Sequence, residues 1–410
     1  MFHISSIPNL KSGSVEQKRN EIKKYFLETI ALETSLFDLL KSDLSFYQKP
    51  ETLRHPLIFY FGHTPTFYIN KLYTRQYINR RIDPALESTF AVGVDEMSWD
   101  DLDEKNYDWP SVARVRSYRN EAVAVVLKYI DEVDFNLPID WNSRMWPVLM
   151  GVEHHRIHIE TSSVLIRQLS LDHIKPDNIW EPCSQMPEAP ENMLLPVQSD
   201  AFQIGKSFQA ETYGWDNEYG THSVSQKEFL ASKYLVSNEE FKLFWKSGGY
   251  QNNDYWTSEG VLWKDYKKVT HPLFWILNSQ GEPTHLRTLD RLIAMPWSWP
   301  VEVNYLEAKA FCEWKSQTNN KPIRLPTEDE WFALLQMTTP NPAPANIALQ
   351  RYASSCPVNQ FQHQDFFDVT GNVWQWTETP IYPFHGFKVH PLYDDFSVPT
   401  FDGKHNLIKG

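Results

Sequence analysis

Apolar positions recur on helical spacing through the first 170 residues and lose that rhythm afterwards. Ser14 is placed to cap a helix running to about Leu40, with Ile22, Tyr25, Phe26, Ile30, Leu32, Phe37 and Leu40 roughly on helical spacing. A second helix is expected from Pro56 to Tyr77. A third is expected from Pro110 to Val133, with Val112, Val115, Ala122, Val125, Val126 and Ile130 apolar, and a fourth from Trp146 to Leu169. Four long amphipathic segments predict a four-helix bundle, an architecture in which facing helices commonly build metal sites. Between the second and third, Asp95 to Asp108 reads as a solvated acidic loop.

Prolines 176, 182, 187, 190 and 196 then mark a linker, placing one domain at 1–175, the linker at 176–200 and a second domain at 201–410. Past the linker, strands are short and turns frequent. Two helices stand out: Tyr305 to Lys315, and one opening at Thr327, where Thr327 and Glu330 form a capping box. The fold class read from this is α+β: a helical bundle followed by a mixed domain of short strands.

Composition narrows the function. A length of 410 residues favours two domains over one core. The net charge of -13, with no basic block to offset it, argues against nucleic acid as a partner. No run of about 18 apolar residues is present, so no membrane-spanning helix is expected. Cys183, Cys312 and Cys356 are odd in number and far apart, which is neither a disulfide framework nor a zinc pattern and points to a reducing, cytoplasmic compartment. Cys312 lies in an apolar helix and is expected to be buried. The 16 Trp, 24 Phe and 19 Tyr suggest irregular packing around large rings or a pocket lined by them.

The candidate chemistry sits in Gly151-Val152-Glu153-His154-His155-Arg156-Ile157-His158-Ile159-Glu160. On a helix, His154 and His158 point about 40° apart, His155 about 100° from His154, and Glu160 about 240° round. The first two can therefore share one ion, whereas Glu160 reads as a supporting or structural group. A third candidate ligand is His63, in Tyr60-Phe61-Gly62-His63-Thr64-Pro65 on the second helix. Three neutral imidazoles leave the other positions of an ion open, as a catalytic metal requires. Such donors suit Fe, Zn, Cu or Ni, and the same residues also suit plain packing.

These residues carry a family resemblance. The H-x3-H-x-E run with its upstream Gly-His resembles the DinB-like bundle of non-heme iron sulfoxide synthases. Gly214-Trp215-Asp216-Asn217-Glu218, Arg324-Leu325-Pro326-Thr327-Glu328-Asp329-Glu330-Trp331 and Gly371-Asn372-Val373-Trp374-Gln375-Trp376-Thr377 resemble the formylglycine-generating-enzyme, or sulfatase-modifying-factor, fold related to C-type lectins. Ergothioneine-type members tend to read His-Glu-Gln-Gln-His-Thr-Glu on the metal helix, where the Gln before the second His meets the histidine-derived substrate. Here that position is Ile157. The run from Phe61 to Leu72, the run from Glu160 to Leu169, the run from Trp299 to Ala308 and the segment from Thr377 to Asn406 are similar to the ovothiol branch, the 5-histidylcysteine sulfoxide synthases.

The resemblance implies Fe(II) held by His63, His154 and His158, O2 as co-substrate, and L-cysteine and L-histidine as small-molecule substrates. It implies a phenol near the iron, for which Tyr382 and Tyr393 are the candidates, with position relative to the Gly371–Thr377 motif slightly favouring Tyr382. Arg80 and Arg81 are candidates to hold a substrate carboxylate bidentately, and equally read as a solvated basic pair. The Trp374–Trp376 pair is expected to pack in the core. Family members continue past position 410 with a Gly-Ser-Trp segment, and many carry a methyltransferase domain. The chain is therefore expected to be a fragment or shortened member whose second domain lacks its last strands. Three rivals remain: an ergothioneine- or selenoneine-type synthase acting on trimethylhistidine; a DinB-type thiol-dependent metal transferase; and a non-catalytic module with a lectin-like binding half on a helical scaffold.

Overall fold

The computed structural model describes residues 5–91, 107–198, 200–337, 344–394 and 396–410. Most of the expected acidic loop at 95–108 lies outside them. The chain opens with α1 (Val15–Phe37). Ser14 Oγ accepts from the Gln17 amide while the Gln17 side chain accepts from the Ser14 amide, a reciprocal cap that fixes the helix start. A short α2 (Asp43–Phe46) leads into α3 (Leu57–Thr74). Then come α4 (Pro84–Thr89), α5 (Val112–Glu132) and α6 (Trp146–Gln168). The four long helices match the four predicted segments to within a few residues at each end.

Helices α1 and α3 each pack on both α5 and α6, so the four close around a shared interior. Helix α3 is the most enclosed: every residue from Leu57 to Ile69 is buried. Two apolar clusters fill the space. One centres on Leu36, Phe37, Phe59, Phe61 and Val115, the other on Phe26, Tyr68, Ile130, Trp146 and Leu149. Gly151 of α6 makes the α3–α6 crossing close, since a Cβ there would stand 2.3 Å from the Tyr68 ring. Pro65 interrupts α3 and removes the amide that would pair with the Phe61 carbonyl. Arg119 Nη1 of α5 donates to that carbonyl instead, at 2.5 Å.

The proline-rich passage is not bare linker. Residues 194–197 form β1 (Leu194–Val197), which pairs antiparallel with β4 (Phe229–Ser232). Between them β2 (Asp200–Ile204) pairs with β3 (His222–Gln226). After α7 (Asn238–Lys246) and α8 (Ser258–Lys267) comes an antiparallel sheet of β5 (Trp275–Leu277), β6 (Pro283–Arg287) and β7 (Leu292–Ala294). Helices α9 (Tyr305–Asn319) and α10 (Glu328–Gln336) begin at reciprocal caps, Asn304 with Glu307 and Thr327 with Glu330. Two short ladders complete the described chain: β8 (Gln362–His363) with β9 (Phe366–Phe367), and β10 (Gln375–Pro380) with β11 (Asn406–Lys409). An aromatic core of Phe241, Phe244, Trp275, Trp299 and Phe311 holds this half together.

The two halves touch along α6. Arg167 Nε donates to the Arg287 carbonyl at 2.6 Å and its guanidinium pairs with Glu302, while Trp374 Nε1 donates to Glu160 Oε2 at 3.2 Å. Glu160 thus bridges the halves. Trp374 departs from the expected core packing: it is 55% exposed, whereas Trp376 packs edge-on to Tyr305. The three cysteines are buried and unpaired, and burial pushes the Cys312 thiol up to about 12. No helix among the described residues is long and apolar enough to cross a membrane.

Candidate metal centre

Helices α3 and α6 bring His63, His154 and His158 to one buried point. His154 Nε2 lies 3.3 Å from His63 Nε2 and 3.1 Å from His158 Nε2. Ligand atoms of all three fall within 4.8 Å of one another. Imidazole nitrogens about 2.1 Å from a common ion, at angles of 90–109°, stand about 3.0–3.4 Å apart. The two separations at His154 therefore fit donors that share one ion, with all three ligand atoms clustered around it.

The tautomer of His63 fits as well. His63 Nδ1 is 2.6 Å from the Phe90 carbonyl, an acceptor only, so Nδ1 carries the proton and Nε2 presents its lone pair. His154 and His158 have Nδ1 atoms with no partner among the described residues. Their rings are held by packing instead: Phe67 stacks on His154 with centroids 3.7 Å apart, and Tyr60 lies against His158. Burial disfavours the imidazolium at all three sites. It holds His63 down at about 4 against the pull of the Phe90 carbonyl, and it drives His154 and His158 well below the usual range, with the neighbouring imidazoles adding to it. Three neutral donors converging in a dry pocket are what a divalent transition metal takes up.

The other predicted site residues separate. Tyr393 lies beside the triad, its ring centroid 6.1 Å from that of His154 and 5.2 Å from that of Phe67. Lys71 Nζ sits 4.1 Å over the same phenol ring. Tyr382 instead packs on His222 and Phe384, and no ring contact joins it to the triad. Arg81 is engaged by Glu87, whose other oxygen accepts from the Ile82 and Asp83 amides. Arg80 is exposed on the bend after α3. Ile157, between the two α6 histidines, is 38% exposed.

Sequence reasoning missed the layer beneath the triad. Glu33 of α1 is fully buried and meets three other helices. Its Oε1 accepts from Thr64 Oγ1 at 2.7 Å, its Oε2 lies 2.8 Å from His155 Nε2, and the Arg119 guanidinium pairs with it. Burial alone would raise this carboxyl, but Arg119, His155 and Thr64 outweigh it and hold it at about 2. A signal was available. Glu33 falls on the same stripe as Ile22, Phe26, Thr29 and Leu36, and Arg119 on the stripe of Val115, Ala122 and Val126. A charge on an apolar stripe asks for a buried counter-charge.

Known proteins place the chain. Hercynine oxygenase of Mycobacterium tuberculosis is 29% identical over 236 residues, which cover 51% of this chain and 51% of that protein. Hercynine oxygenase of Mycolicibacterium smegmatis is 26% identical over 62% of this chain and 60% of its own length. Ergothioneine biosynthesis protein 1 of Schizosaccharomyces pombe is 23% identical over 87% of this chain and 48% of that protein. The chain spans about half the length of most of the curated relatives it matches. The profile described as the sulfatase-modifying factor enzyme 1-like domain matches residues 184–407, more than half of the chain and beginning within the expected linker. With that match laid over the short-stranded half that packs on α6, the chain belongs to the FGE-sulfatase family.

Proposed function

We propose that this chain carries the metal centre of a non-heme Fe(II)- and O2-dependent sulfoxide synthase, an oxidoreductase that joins a thiol sulfur to an imidazole carbon. The observation that carries the reading is the convergence of His63, His154 and His158 Nε2 on helices that pack against an FGE-sulfatase-family domain. The helical half is read as a DinB-like bundle. The balance needs no further reductant: one thiol S–H and one imidazole C–H are lost, a C–S bond forms, one oxygen of O2 stays on sulfur and the other leaves as water. When bound, Fe(II) supplies thiolate ligation and O2 activation at the open side of the three imidazoles.

The residues of the chain do the rest. Burial keeps the three imidazoles unprotonated and aimed at one point. Phe67 stacks on His154 and Tyr60 lies against His158, which holds those two ring planes. For the Tyr393 phenol, supported by its place beside His154, the proposed role is to deliver a proton near the reacting atoms. Arg80 remains a proposed carboxylate contact, while the ion pair to Glu87 occupies Arg81.

For substrates we propose L-cysteine and L-histidine, giving 5-histidylcysteine sulfoxide, the first step of ovothiol synthesis. The support is Ile157, an apolar side chain where ergothioneine-type members carry the Gln that meets their substrate. A second reading, a trimethylhistidine acceptor with another thiol or selenol donor, is favoured by the names of the relatives, which are hercynine oxygenases and ergothioneine biosynthesis proteins. The test is anaerobic Fe(II) loading, then O2 uptake and product mass with cysteine plus histidine beside γ-glutamylcysteine plus trimethylhistidine. The expected outcome is a sulfoxide from the first pair and loss of O2 uptake in His63→Ala, His154→Ala and His158→Ala. Product from the second pair alone would establish the second reading. Metal-dependent activity without O2 uptake would point to a thiol transferase, and histidine variants that change nothing but stability would point to a binding module.

A further inference from the structure

We infer that Glu33 and Arg119 are positioning residues for the three-histidine centre: together they lock the rotation of α3 and α6 that aims His63 and His154 at one ion. The inference rests on the metal reading above and goes beyond it, because neither residue touches the candidate ion.

The contacts form one continuous buried unit. Thr64, bonded to Glu33, directly follows His63, and His155, against the other Glu33 oxygen, directly follows His154. One carboxylate therefore holds the chain neighbours of two of the three candidate ligands. Arg119 adds a third tie to the ligand region. It donates to the Phe61 carbonyl, the acceptor that Pro65 leaves unpaired two residues before His63. Its second hydrogen bond from Nη1 reaches Thr64 Oγ1 at 3.3 Å, and its plane lies 4.2 Å over the Phe61 ring. Tyr68 of α3 closes the unit from the far side, its hydroxyl 3.4 Å from His155 Nδ1. Glu33, Thr64 and His155 are wholly buried and Arg119 is 6% exposed, so water cannot substitute for any of these partners.

The lever arm explains why this matters. An imidazole Nε2 stands about 6 Å from its helix axis, so a 10° rotation moves it by about 1 Å. Metal–nitrogen distances tolerate only about 0.2 Å. Apolar packing alone permits rotations of that size, because a smooth ring surface can slide. Charge-assisted bonds with fixed directions do not. Tying the residues that directly follow two of the ligands to one buried charge pair converts a general bundle into one with a single registered pair of ligand-bearing faces.

The test uses Co(II) as a spectroscopic stand-in for Fe(II), titrated into the full chain, with affinity, visible ligand-field absorption and thermal midpoint all recorded. The variants are Glu33→Gln and, as a milder change of near-identical shape, Thr64→Val. Leu286→Ala, a truncation in the aromatic core of the second half, serves as the control for stability alone. Glu33→Gln is expected to lose Co(II) affinity by about tenfold or more and to alter the ligand-field bands. Thr64→Val should do the same more weakly, while Leu286→Ala lowers the thermal midpoint and leaves affinity and bands as in the parent chain. Unchanged affinity and bands in the first two variants, or equal changes in the control, would overturn the inference. If Glu33→Gln does not fold, Thr64→Val decides alone. A parent chain that binds no Co(II) would refute the metal reading itself, an outcome read before any variant is compared.

Discussion

Tyr393 and Tyr382 show how far a residue's neighbours decide its chemistry. Both follow the Gly371–Thr377 motif, and chain position slightly favoured Tyr382. The fold puts Tyr393 beside His154 through Phe67 and puts Tyr382 against His222. Tyr393→Phe should therefore shift the balance between coupled sulfoxide and plain oxidation of the thiol, while Tyr382→Phe leaves it within twofold of the parent. Product ratios by mass spectrometry check this, and the reverse ranking would remove Tyr393 from the site. His154 and His158 were legible as a pair because a helix converts an i, i+4 spacing into a shared face, whereas His63 sits on another helix that only the fold brings beside them. Glu33 was legible only as a charge on an apolar stripe; its partners Thr64 and His155 lie 31 and 122 positions away and only the folded bundle brings them within reach of one carboxylate.

At the level of elements, the long helices could be read almost to their ends. Ser14 with Gln17 and Thr327 with Glu330 announce their caps, and the apolar stripes are sustained over five or more turns. The strands were less legible, because most are two to five residues long and too short to show alternation. The clearest case is β1, hidden in a proline-rich passage: Pro196 is tolerated there since β1 is an edge strand paired only with β4. Helix spacing gives a sharper prediction. Gly151→Ala would drive a methyl group into the Tyr68 ring and part α3 from α6. A loss of about 1–3 kcal/mol is expected from such overpacking, together with weaker metal binding. Chemical denaturation and Co(II) titration measure the two, and a variant as stable as the parent with full affinity would show that the crossing is not tight.

Across the whole molecule, buried carboxyls give opposite pH dependences. Burial raises Asp368 from 3.8 to about 7 despite the hydrogen bond from Asn372. Its contribution is fully present below pH 3.8 and is lost as pH rises towards 7, because the unfolded carboxyl releases its proton first. Glu33, held at about 2, acts the other way, contributing above pH 4.5 and losing that contribution as the solution is acidified through 2. Asp368→Asn should therefore gain thermal midpoint relative to the parent at pH 8 over its value at pH 5, by a few °C. An equal difference at both pH values would rule out titration of Asp368 in this range.

The convergence of His63, His154 and His158 also bears on how long the protein survives. An ion held by His63 of α3 and by His154 and His158 of α6 would tie the two helices together and resist the opening that exposes the apolar α3 to proteases. Such binding would stabilise the closed bundle by mass action, about 2.7 kcal/mol at a hundredfold excess over the dissociation constant. Abundance in a cell would then follow the supply of the metal: copies made in scarcity are cleared, and copies made in plenty persist.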